Sequence, residues 1–128
     1  MEPACYGRGA MNPPFAELDY RKTRLGELIL QRRQVLALDG AEAYEVKLNG
    51  EYLMSSLFYE AEAELARDGL GALAGSGWEV VVGGLGLGFT AAAALDFPQV
   101  ARLVVVEALE PVIDWHRRGL VPHGRRLP

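Results

Sequence analysis

The spacing of apolar and polar positions changes character along the chain. From Leu25, GELILQ and QVLAL are short β-rich runs, and Asp39-Gly40 closes them with a turn signal. EAYEVKL then alternates, with Tyr44, Val46 and Leu48 on one face and Glu45 and Lys47 on the other. Asn49-Gly50 follows, and EYLM resumes the strand character. Asn-Gly between two such runs predicts a hairpin, because a type I′ turn needs positive φ at both central residues. Residues 25–54 are expected to form an antiparallel β region. Residues 1–24 carry Pro3, Pro13 and Pro14 with mixed charge and no period, and are expected to be a flexible arm.

SSLFYEAEAELARDG changes to a helical period, with Leu57, Ala61 and Leu65 on one face and Ser55 or Ser56 as cap. Acidic Glu60, Glu62 and Glu64 come early, where the helix dipole favours them, and Gly69 is a stop signal. WEVVV reads as a strand buried on both faces. FTAAAAL is helical by propensity and must end near Phe97, because Pro98 follows. RLVVVE is a second buried strand. PVIDWHRRG is a second helix, with Pro111 in its first turn and Gly119 at its end. Strand, glycine turn, helix, strand, helix predicts two parallel strands joined by a helix. The fold class expected is α/β, an antiparallel hairpin region (25–54) followed over residues 55–128 by the first half of a Rossmann-like parallel sheet.

Composition narrows the partners. The net charge is −4, which argues against a nucleic-acid surface. The pairs Arg32-Arg33, Arg117-Arg118 and Arg125-Arg126 read as solvated surface. Cys5 is the single cysteine, so neither an intrachain disulfide nor a multi-cysteine zinc site is possible within the chain. His116 and His123 lack spaced ligand partners, and no metal site is expected. No stretch has the apolar length of a membrane span or signal core, so a cytoplasmic location and no membrane partner are expected.

The candidate chemistry lies in VVVGGLGLGF, residues 80–89. Gly84, Gly86 and Gly88 follow a predicted strand and open a predicted helix, where backbone can approach a ligand and N–H groups are unpaired. Glu107 ends the next strand 19 residues after Gly88, where a carboxylate can accept both ribose hydroxyls of a nucleoside. The alternative is a purely structural turn with Glu107 solvated. The spacing does not choose between a dinucleotide and an S-adenosyl ligand. Trp78, Trp115 and Met54 read as packing residues, Asp96 and Asp114 as solvated acids, and His116 as a surface residue.

The stretch VVVGGLGLGFTAAAALDFPQVARLVVVEALEPVIDWHR resembles the cofactor domain of the spermidine synthase family and of related class I methyltransferases. The family pattern runs from strand through a Gly-rich turn and helix to a strand ending in an acid, here Glu107, followed by Glu110-Pro111-Val112-Ile113. LNGEYLMSSLFYEAEAELA resembles the hairpin and helix ahead of that domain, with Tyr59 near the helix start. The resemblance implies S-adenosylmethionine or its decarboxylated form as cofactor or substrate. It implies Gly84, Gly86, Gly88 and Glu107 as binding residues, and a small-molecule amine or other acceptor. Propylamine transfer to a polyamine is the implied reaction. Methyl transfer, or a non-catalytic truncated module that oligomerises, are the alternatives. In the family the base lies on later strands, so the resemblance assigns no catalytic residue here. It also places a further strand beside Val80–Val82, so that edge is expected to be open to pairing in a homo-oligomer.

Overall fold

The computed structural model describes residues 14–124 and 126–127. Strands β1 (Phe15–Thr23), β2 (Gly26–Val35), β3 (Ala41–Leu48) and β4 (Glu51–Ser55) form one antiparallel sheet in that order. Helix α1 (Glu60–Gly71) follows, then β5 (Trp78–Gly83), α2 (Phe89–Leu95), β6 (Val100–Val106) and α3 (Glu110–Arg117). Strands β5 and β6 pair in parallel through the α2 crossover, as a separate two-stranded sheet. The architecture is mixed α/β, and among the described residues no helix is long and apolar enough to cross a membrane.

The hairpin sits where its turn chemistry requires. Asn49 and Gly50 have φ of 53° and 81°, and Leu48 pairs with Glu51 across them. GELILQ and QVLAL do not make two strands, however. Strand β2 runs unbroken to Val35, and Leu36–Leu38 form a single 3₁₀ turn before Asp39-Gly40.

The expected arm over residues 1–24 is corrected where the structure describes it. Phe15–Thr23 is a nine-residue strand paired with β2 from Phe15↔Arg33 to Thr23↔Gly26, while residues 1–13 lie outside the described residues. This strand lies at the sheet edge and has no buried residue, so it lacks an apolar alternation to announce it. Its ladder with β2 and the packing of Leu18 against the core hold it, and long-range polar contacts add to them. The Trp115 indole N–H donates to Asp19 Oδ2 at 2.7 Å, and Arg21 pairs with Asp114 at 2.6 Å.

Two clusters make the core. Leu28, Leu30 and Val46 on one face of the antiparallel sheet pack with Leu87 of the glycine turn and with Leu109, Val112, Trp115 and Val121 around α3. Ala63, Ala66 and Leu70 of α1 pack with Ala93 and Ala94 of α2, against Val80 and Leu103. The apolar face of α1 is therefore not the expected Leu57, Ala61, Leu65 row, and Leu65 is 68% exposed. The alanine row lets two helices approach closely, which a leucine row would prevent. The serines do not cap α1 either. Strand β4 extends through Ser55, whose hydroxyl accepts the Leu57 N–H, and Ser56 accepts the Tyr44 N–H.

The parallel strands are not buried on both faces. Helices α1 and α2 cover the Val80 side, and Val81 on the opposite side is 68% exposed. Opposite the apolar face of the antiparallel sheet, Glu45 is buried. It accepts Gln31 Nε2 at 3.0 Å and Arg33 Nε at 2.8 Å. Burial pushes its carboxyl up, but these two hydrogen bonds and the Arg33 charge outweigh it and hold the group below the usual carboxylate range.

Candidate functional site

The glycine turn joins β5 to α2. Gly84, Gly86 and Gly88 all have positive φ, at 96°, 53° and 89°. A side chain in that region is strained, so three such residues in a five-residue turn require glycine. The Gly84 N–H bonds the Val106 carbonyl at 2.7 Å, which ties the turn to the end of β6. Gly88 is the residue before α2, whose Ala92 N–H it accepts at 2.8 Å.

Glu107 stands at the end of β6 and grips this turn. Its Oε1 accepts the Leu85 N–H at 2.8 Å and the Gly86 N–H at 3.4 Å, and its Oε2 accepts the Leu109 N–H at 2.9 Å. Leu109 is the residue before α3. One carboxylate thus joins the turn, the end of β6 and the start of α3. It is not the free strand-end acid of the structural alternative. A carboxylate has about four acceptor positions, and three are occupied. One further hydrogen-bond donor can be accepted, at Oε2, without displacing any of these bonds. Two would have to displace the longest of these bonds, that of Gly86.

Beside the turn lies a cleft of about 450 Å³. Residues Gly83 to Thr90 form one wall, with Glu107, Leu109 and Val112 behind them. Leu53, Met54 and Ser55 of β4 and Glu62 and Leu65 of α1 line the rest. All four residues predicted for binding, Gly84, Gly86, Gly88 and Glu107, line it. The hairpin reaches the cleft because its sheet packs on α3 and on Leu87. Met54 covers Gly86, where a Cβ would lie 3.3 Å from its sulfur. Around Gly84 a Cβ would meet nothing within 4 Å. The charged residues lining the cleft are Glu62 and Glu107, both acidic.

His116 overturns its expected surface position. It is 1% exposed, and its Nε2 lies 2.9 Å from the Gly86 carbonyl oxygen. Burial pushes its pKa below the ordinary 6.5, against the opposing pull of the Gly86 carbonyl and the Glu107 charge. The sequence hides this because His116 is followed by Arg117-Arg118, which reads as a polar helix end. Its helical spacing from Val112, four residues earlier on the buried side, was the available signal. Tyr59, singled out near the start of α1, stacks on Phe89 with ring centroids 4.7 Å apart. Asp96 is exposed and pairs with Arg126, and Asp114 pairs with Arg21 and Arg118. Neither aspartate lines the cleft. Trp115 and Trp78 are packing residues, Trp115 in the core and Trp78 against Phe97 at 6.2 Å. Among the described residues, no group of three His, Cys, Asp or Glu side chains could hold a metal ion.

No protein-family model matches the chain, and no curated protein or solved structure matches it either.

Proposed function

We propose that the cleft binds an S-adenosyl nucleoside and that the β5–α2–β6–α3 unit is the first half of a Rossmann-like domain of the spermidine synthase kind. The charge of the cleft carries this reading. Its charged lining residues, Glu62 and Glu107, are both acids. A dinucleotide would bring a pyrophosphate to the glycine turn, where the Glu107 carboxylate already holds the Leu85 and Gly86 N–H groups. The charged lining residues, Glu62 and Glu107, supply no cation to hold that phosphate. A sulfonium is a cation and is attracted by the same groups. The backbone is open to close approach at Gly84, where a Cβ would meet nothing within 4 Å, and the remaining acceptor position of Glu107 suits a ribose hydroxyl.

An acidic cleft also favours an ammonium acceptor, which supports propylamine transfer over methyl transfer to a neutral or anionic group. In that reaction the deprotonated amine nitrogen attacks the carbon attached to sulfur. The carbon–sulfur bond breaks, and the thioether nucleoside leaves with the electron pair. The amine must first lose its proton to a base, and no residue of this chain is assigned that part.

Calorimetric titration with S-adenosylmethionine, decarboxylated S-adenosylmethionine and NAD+ tests the reading. The S-adenosyl compounds are expected to bind and NAD+ is not. Binding of NAD+ at comparable affinity, or no binding of either S-adenosyl compound, would reject it.

A further inference from the structure

Helix α3 reaches the backbone of the glycine turn through a buried polar side chain. His116 Nε2 lies 2.9 Å from the Gly86 carbonyl oxygen. A carbonyl oxygen only accepts, so Nε2 is the protonated nitrogen of this contact. In the neutral ring Nδ1 is then a bare acceptor, and it is buried without a hydrogen-bond partner. An unsatisfied buried acceptor costs stability, and an apolar side chain here would avoid that cost. The compensating role of the imidazole lies in what its other nitrogen holds.

That role is defined by the opposite side of the same residue. The Gly86 N–H donates to Glu107 from the end of β6, and the Gly86 carbonyl accepts from His116 on α3. Gly86 is therefore gripped at both of its polar groups, by two elements that follow the turn in sequence. The ring also lies against the turn one step further on, because a Cβ on Gly88 would lie 2.8 Å from its Cε1. A turn with three left-handed glycines has little preference of its own among conformations. External contacts choose one, and His116 supplies the contact that Glu107 cannot make.

We propose that His116 is a positioning residue for the cleft. Through the Gly86 carbonyl it sets the direction in which Glu107 and the turn backbone meet a bound nucleoside. The inference rests on the nucleoside reading above. The titratable groups around the ring are Glu107 at the end of β6 and His123 in the segment after α3.

The test compares wild type, His116→Phe and His116→Gln. Phenylalanine keeps a ring and removes the donor, whereas glutamine keeps an N–H donor. S-adenosylmethionine affinity is expected to fall about tenfold in His116→Phe, the value of roughly one hydrogen bond, and to recover largely in His116→Gln. Amide exchange should quicken at Gly86 and Gly88 in the Phe variant and stay unchanged at Leu28 and Leu30 in the sheet. Equal affinity of wild type and His116→Phe would overturn the positioning role. So would a glutamine variant as weak as phenylalanine, or equal loss of protection in turn and sheet. If either variant fails to fold, nitrogen NMR of the wild-type imidazole decides. Protonation at Nε2 supports the role and protonation at Nδ1 alone overturns it. Wild type that does not bind S-adenosylmethionine rejects the nucleoside reading and this role with it, and is distinguished by needing no variant.

Discussion

The carboxylate of Glu107 accepts the Leu85 N–H at 2.8 Å, fastening the glycine turn to the end of the neighbouring parallel strand. The same side chain reaches Gly86 and Leu109. Its first duty is therefore to the backbone, and any ligand contact uses the acceptor capacity left over. Glu107→Gln puts an amide donor among backbone donors. Hydrogen bonds to a charged acceptor contribute about 1.5–3 kcal/mol each. The variant is expected to lose about 2 kcal/mol of stability in denaturant unfolding. Unchanged stability would show that the three contacts are dispensable.

Glycine-to-alanine substitutions should differ across the turn. At Gly84 a Cβ meets open space, so only the strain of φ near 96° remains, about 1 kcal/mol. At Gly88 the added carbon would lie 2.8 Å from both His116 and Leu127, on top of a φ of 89°. Gly88→Ala is expected to cost about 1–3 kcal/mol more than Gly84→Ala, in the range of overpacking. Equal unfolding midpoints would contradict this ordering.

The strand that the sequence left undeclared gives a third prediction. Asp19 on β1 accepts the Trp115 indole N–H and pairs with Arg21 at 3.2 Å. Asp19→Ala leaves the buried indole N–H without that partner and is expected to cost about 1–3 kcal/mol. Amide exchange should show β1 opening ahead of β2 and β3. If β1 amides keep wild-type protection, the Trp115 contact does not hold the edge strand.

Acid should weaken the turn through histidine before it reaches the carboxylates. Burial depresses the pKa of His116 and of His123, with Arg126 adding to the effect at His123. The unfolded chain then binds more protons than the folded one as pH falls below about 6.5. The stabilisation is full above that value and is lost as pH falls through the depressed folded values. Denaturant midpoints should decline on going from pH 7.5 to 5.5, and the decline should be shallower in His116→Phe. A midpoint independent of pH across that window would contradict the buried, neutral imidazole.

What the sequence made legible follows from local chemistry. Asn49-Gly50 demanded positive φ, and both residues have it. Valine runs on either side of an alanine helix announced the parallel pair, which formed with Val80 opposite Leu103. The three glycines and Glu107 were drawn to one cleft as their spacing implied. Where contacts come from distant chain, the pattern was silent. FAELDYRKT carries too much charge to signal a strand, and it is held by partners on α3 nearly a hundred positions away. On α1, two rows share the helical spacing, and only the packing partner α2 selects the alanine row. His116 looked polar by its neighbours, and its ring lies against the glycine turn, at Gly86 and Gly88, more than twenty positions earlier in the chain.

Amide NMR mapping with S-adenosylhomocysteine as a stable probe tests most directly whether an S-adenosyl nucleoside binds in the cleft. Shifts are expected at Gly84 to Thr90, at Glu107 and Leu109, and at Met54 and Glu62 across the cleft. The outer residues of the antiparallel sheet, such as Arg33 and Glu45, should not move. Saturable shifts confined to residues outside the cleft, or no shifts at millimolar probe, would contradict the account.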